Sequence, residues 1–133
     1  MPRILDTTML IDYANDLPGA VAMLERLFAE ADDLLVCDAV VAEAFSKGTD
    51  DERRSIASLI DAVEYVSTDP GAAKWAGEAR RLRGAAGPRT LGDAIIAGVA
   101  WSQGAAVVTR NPDDFVRMGV PVLAYEAEAP AAG

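Results

Sequence analysis

The sequence contains no histidine and only one cysteine. Without histidine there is no imidazole general base, no Ser-His-Asp triad and no histidine-ligated zinc. With one cysteine there is neither an intrachain disulfide nor a CxxC metal knuckle. Cys37 ends the apolar run Leu34-Leu35-Val36-Cys37, where a free cysteine acts as a small buried hydrophobe. It also has no histidine to activate it as a nucleophile. Long hydrophobic runs are missing as well, since nothing approaches the roughly 20 apolar residues of a membrane-spanning helix. Met1-Pro2-Arg3 leads straight into Ile4-Leu5-Asp6, without the apolar stretch of a signal peptide. A cytoplasmic protein with no membrane partner is expected. Lysine occurs only at Lys47 and Lys74, so arginine must supply most positive charge.

Carboxylate is what the chain has in abundance. Asp and Glu number 21 against 12 Lys and Arg, a net charge of −9. Such a balance argues against holding nucleic acid by bulk electrostatics, which needs a basic face. It is compatible with a nuclease whose acids surround a cation, because the ion reverses the local field. The densest basic group is Arg80, Arg81 and Arg83, followed by Arg89. A length of 133 residues suits one hydrophobic core and not two. One domain over residues 1–125 is expected, with a loose Ala-, Pro- and Glu-rich tail at 126–133.

Short apolar runs alternate with helical patterns. Strands are expected at residues 4–5, 34–37, 65–66, 105–108 and 120–124. Helices are expected over 7–13, from Asp16-Leu17-Pro18, over 40–47 with Gly48 as its stop, from Asp50, from Thr68-Asp69-Pro70, and from Thr90 to Gly104. Val21, Leu24, Leu27 and Phe28 share one face of the second helix. Trp75, Ala76, Ala79 and Leu82 are read as the inner side of the fifth, and both Trp75 and Trp101 as core. Residues 84–89 read as a loop. This βαβ alternation implies a parallel sheet covered on both faces. In such sheets the ligand site lies beyond the carboxyl ends of the strands.

Acids stand at those ends. Asp6 follows the first strand. Glu43 interrupts the apolar stretch Val40-Val41-Ala42-Glu43-Ala44-Phe45 after the second. Asp93 lies on the first turn of the helix before the fourth, and Asn111 and Asp114 follow that strand. Oxygen donors of this kind select Mg²⁺ or Mn²⁺. Each also has a plainer reading. Asp6 can cap the helix after it, Thr90-Leu91-Gly92-Asp93 has the form of a capping box, and Asp113 and Asp114 fit a solvated turn. Glu43, amid apolar residues, is expected to need a partner for its charge, which an arginine could provide.

In order and at matching spacing, four segments together resemble the PIN domain family. Ile4-Leu5-Asp6-Thr7-Thr8-Met9-Leu10-Ile11-Asp12 is similar to its opening signature and residues 40–45 to its second motif. Thr90-Leu91-Gly92-Asp93-Ala94-Ile95-Ile96-Ala97 is similar to the third. Val107-Val108-Thr109-Arg110-Asn111 with Asp114-Phe115 is similar to the fourth. The resemblance implies a PIN-like three-layer α/β/α fold with a central five-stranded parallel sheet. It also implies a Mg²⁺ ion, replaceable by Mn²⁺, held by Asp6, Asp93 and Glu43. The activity implied is hydrolysis of RNA phosphodiester bonds, with catalytic Asp6, Glu43, Asp93 and Asp114, and Glu43 taking a proton from water. Asn111, Thr109 and Thr8 are candidates for a fourth ligand or a phosphate contact. The sequence departs from the family pattern at Thr8, where Asn or Ser is commoner, and at Asn111, where some members have Asp. Arg89 and Arg110 are the candidate RNA contacts.

A compact PIN domain beginning near Met1 resembles the toxin partner of bacterial VapBC toxin–antitoxin pairs. That resemblance implies an RNA substrate, a VapB-like antitoxin and a homodimer, whose interface is the alternative to the core for Trp75 and Trp101. A PIN module that binds partners without cutting is the alternative, motivated by Thr8 and Asn111. An aspartyl phosphoacceptor domain fits poorly, for want of an acid at position 8 and of a lysine after a late strand.

Overall fold

The computed structural model describes residues 1–30, 33–82 and 91–128. Five strands, β1 (Arg3–Leu5), β2 (Leu34–Cys37), β3 (Glu64–Val66), β4 (Ala106–Thr109) and β5 (Val122–Ala124), form one sheet in the order β3-β2-β1-β4-β5. All the pairings are parallel. The helices described are α1 (Thr7–Ala14), α2 (Pro18–Ala29), α3 (Asp38–Ala44), α4 (Asp50–Asp61), α5 (Pro70–Leu82), α6 (Leu91–Gln103) and α7 (Pro112–Val116). This is the expected α/β/α architecture.

The strands follow from continuous apolar runs. β2 and β4 are buried at every residue, as befits strands covered on both faces. The edge strands β3 and β5 are more open. The core joins Ile4 and Leu5 of β1, Val36 of β2, and Val107 and Val108 of β4 with Met9, Leu10, Leu27, Ile96 and Phe115 from the helices.

The order in which strands are added to the sheet reverses beside β1. From β1 the chain proceeds outward through β2 to β3, then returns to place β4 on the other side of β1. The carboxyl ends of β1 and β4 therefore flank a topological switch point, where open parallel sheets form their ligand crevice. Asp6 and Thr109 stand there.

Several local expectations need correction. α3 begins at Asp38 and ends at Ala44, so it does not cover residues 40–47. Phe45 and Ser46 close its last turn through backbone bonds to Val41 and Glu43, and Gly48, at φ 101°, belongs to the turn beyond. On α5 the inner side is Ala72, Ala76 and Ala79, while Leu82 is 78% exposed. These small residues let α5 approach α6 so closely that a Cβ at Gly98 would lie 2.4 Å from the Ala72 carbonyl oxygen. Trp75 is only half-buried and Trp101 is exposed. The two stack at 5.9 Å between ring centroids, because the helices pack through alanines and leave the indoles at the margin. Phe28 is also exposed.

Ala127 packs against the core, and its carbonyl accepts the Gly19 N–H at 2.7 Å. The expected loop at 84–89, Thr90 and Arg89 lie outside the described residues. No described helix is long and apolar enough to cross a membrane.

Candidate active site

Asp6 terminates β1 and caps α1, so its plainer reading holds alongside any chemical one. Its Oδ1 accepts the Thr7 N–H at 2.7 Å. Its Oδ2 accepts two hydroxyls, Thr8 at 2.9 Å and Thr109 at 2.8 Å. The Thr109 bond crosses the switch point between β1 and β4. Among the described residues these donors fill Oδ2 and leave one acceptor direction on Oδ1. The carboxylate is buried, and burial raises its pKa despite the three donors, with the Asp114 charge adding to the rise.

Asp93 enters from the first turn of α6. Its pKa is pushed up to about 7 by burial first, then by the charges of Asp6, Asp114 and Glu43. Those contributors lie on β1's exit, α7 and α3, so four segments bring carboxylates into one electrostatic neighbourhood. The Thr7 hydroxyl donates to Glu43 Oε1 at 2.9 Å. Glu43 Oε2 lies over Gly92, where a Cβ would be 2.8 Å away.

Glu43 does not occupy the apolar setting expected for it. Val40 and Ala44 turn into the core, while Ala42 and Glu43 face outward, so its charge remains partly solvated. Asp114 is half-exposed and lies 3.7 Å from Arg117. Asn111 is exposed, and its backbone N–H donates to the Thr109 hydroxyl at 3.0 Å. That bond commits Thr109. Its hydroxyl donates to Asp6, accepts from Asn111 and is fully buried, so it is not placed to touch a phosphate. Thr8 likewise spends its proton on Asp6.

Arg110, the expected RNA contact, is engaged by an acid of α1. Its guanidinium lies 3.3 Å from Asp12, an acid only 1% exposed. Asp12 Oδ2 also accepts the Tyr125 phenol at 2.8 Å. Sequence reading gave no role to Asp12 or Tyr125. The available signal was an acid inside the apolar stretch Met9-Leu10-Ile11-Asp12-Tyr13.

The PIN domain family model matches residues 3–121. The chain belongs to the PIN domain family. No curated protein sequence matches it. Its fold is similar to that of VapBC2 from Rickettsia felis bound to a promoter DNA fragment. That match has a TM-score of 0.77 and 21% identity, over 95% of this chain and 100% of the other. It is also similar to DNA-bound VapBC from Salmonella typhimurium, with a TM-score of 0.74 and 25% identity over 93% and 98% of the two chains. VapBC-1 from nontypeable Haemophilus influenzae gives 0.73 and 22%, over 93% and 98%.

The donor set of this PIN domain fits a hard divalent cation. It consists of carboxylate oxygens from separate elements, and the charges of Asp6, Asp114 and Glu43 raise the proton affinity of Asp93. Among the described residues no three acids already form a ready ligand cluster.

Proposed function

We propose that this PIN domain is a Mg²⁺- or Mn²⁺-dependent endoribonuclease and the toxin component of a type II toxin–antitoxin pair. The observation that carries the reading is the placement of Asp6 at the sheet's switch point, with the charges of Asp6, Asp114 and Glu43 near enough to Asp93 to raise its pKa. Asp6, Asp93 and Glu43 would hold the cation, with Asp114 beside them. When bound, it supplies a lowered pKa for water and a counter-charge for the scissile phosphate.

The chain's own residues supply the rest. Threonine hydroxyls and the α1 amide fix Asp6 in place. Glu43, oriented by Thr7 and partly open to solvent, is positioned to accept a proton from the attacking water. Arg110 holds Asp12 yet keeps its side chain 43% exposed at the carboxyl end of β4, which leaves donors for a phosphate oxygen. Arg89 is the second proposed RNA contact.

The partner reading rests on the VapBC neighbours. Between α1, α2 and α4 runs an apolar groove of about 550 Å³, lined by Tyr13, Val21, Leu24, Phe28 and Leu59. This groove is the proposed seat of a VapB-like antitoxin. The exposed Trp101 on Trp75 offers a separate face for a homodimer. The test is incubation of the purified protein with total cellular RNA in Mg²⁺, Mn²⁺ or chelator. Discrete cleavage that the chelator abolishes is expected. Intact RNA under every condition would favour the non-cutting PIN module.

A further inference from the structure

Asp12 makes α1 more polar inside than helix packing requires. Its neighbours Met9 and Leu10 are fully buried hydrophobes, and a buried ion pair is often no more stabilising than well-packed apolar side chains of similar volume. The pairs of Arg53 with Asp50, Arg54 with Asp51 and Arg117 with Asp114 are of a looser kind, joining residues three apart through acids that are half-exposed or more. Such surface pairs hold an arginine weakly. Asp12 is buried, and both its oxygens are engaged: Oδ1 by Arg110 Nη1 at 3.3 Å and Oδ2 by the Tyr125 phenol at 2.8 Å. The phenol fixes the carboxylate, and the carboxylate fixes one side of the guanidinium.

That anchor stands beside the acid site. On α1, Thr8 and Asp12 are four residues apart and share a face, with roughly 5–6 Å between their Cβ atoms. At the end of β4, Thr109 and Arg110 are consecutive. The two threonine hydroxyls meet on Asp6 Oδ2, at 2.9 and 2.8 Å. One helical turn farther along α1, Asp12 meets Arg110. Helix and strand end are thus joined by two neighbouring links, the first closing on the Asp6 carboxylate and the second on a cation. Their separation is comparable to that between successive phosphates of an extended strand. The Arg110 side chain stays 43% exposed, and a guanidinium held through one nitrogen keeps other N–H donors of its planar fork for a ligand.

We propose that Arg110 forms a subsite for the RNA phosphate next to the scissile one, with Asp12 as the positioning residue that aims it. The subsite rests on the reading of Asp6 as part of the cleavage site, but it acts in binding and has a readout independent of cleavage. A guanidinium aimed beforehand loses less side-chain freedom when the strand arrives. Freeing it weakens binding, so the loss falls on KM and not on kcat.

The test is Asp12→Asn, which keeps an acceptor for the phenol. It is read by cleavage of a single-stranded RNA oligonucleotide in Mn²⁺, and by binding of that oligonucleotide in chelator across a salt series. KM and Kd should each rise by about threefold to tenfold, with kcat and Mn²⁺ affinity within about twofold. The salt slope should hold, because the arginine charge remains. Adding Arg110→Gln to Asp12→Asn, which avoids orphaning a buried carboxylate, should weaken binding by a further tenfold or so and flatten the slope by about 0.7. If Asp12→Asn fails to fold, Arg110→Lys stands in: it keeps a cation for Asp12 without the fork, and Kd should rise by about threefold. Wild-type KM and Kd in the folded variants would overturn the proposal, even with a lowered melting temperature. Tighter RNA binding by Asp12→Asn would also overturn it, since Asp12 would then be masking the arginine. A wild type that never cuts RNA, but binds it less well in these variants, would refute the nuclease reading and leave the phosphate subsite standing.

Discussion

A methyl group at position 92 would lie 2.8 Å from Oε2 of Glu43 and 3.0 Å from its carboxyl carbon. The space a side chain would fill on the first turn of α6 is taken by a carboxylate from α3. The obstructed atoms are the far end of a flexible side chain, so alanine would be accommodated by moving Glu43, with the backbone undisturbed.

Gly92→Ala should therefore separate stability from activity. Replacing a helical glycine by alanine favours the helix by up to roughly 1 kcal/mol, so the melting temperature should hold or rise. Turnover should fall by about tenfold or more, because the displaced acid is the proposed proton acceptor. Thermal melts and cleavage rates on one preparation check both. Reduced stability with normal turnover would place Glu43 outside the reaction.

Asp93 predicts the pH dependence of the cation-free protein. Its pKa is about 7 when folded against 3.8 for the ordinary side chain, so the folded state binds more protons in between. Stability should accordingly be greatest below about pH 4 on this group's account, and fall as pH rises through about 7. Allowing for partial solvent exposure, the contribution is roughly 1–2 kcal/mol. Denaturant titrations across this range should slope downward for the wild type and be flatter for Asp93→Asn.

Asp114 and Asn111 share a motif but not a neighbourhood. Asp114 raises the pKa of both Asp6 and Asp93, whereas Asn111 contributes a backbone N–H to Thr109. Asp114→Ala should cost more activity than Asn111→Ala and should lower the pKa of Asp93, measured by NMR titration of its carboxyl carbon. The reverse order of activities would make the asparagine amide the working oxygen.

What the sequence made legible was whatever is local or repeated. Leu34–Cys37 is a strand because four apolar residues in a row suit a doubly covered sheet, and Asp6 and Asp93 were visible as acids next to such runs. The outward turn of Glu43 was not, because the stretch around it reads as apolar until Val40 and Ala44 are seen to face the core while Ala42 does not. Leu82 was misread because helical period alone cannot show that α5 meets α6 through alanines. The bond between Asp12 and Tyr125 joins residues 113 positions apart, and no spacing rule links them. Arg110 was recognised as a cation near the site, but its commitment to Asp12 depends on that same distant contact.

The most direct test of the central claim is Mn²⁺ binding and RNA cleavage measured together on wild type, Asp6→Asn and Asp93→Asn. If the clustered acids form one cation site for hydrolysis, both variants should remain folded, bind Mn²⁺ at least about tenfold more weakly, and cut RNA at least about a hundredfold more slowly. Full cleavage by either folded variant would contradict the account.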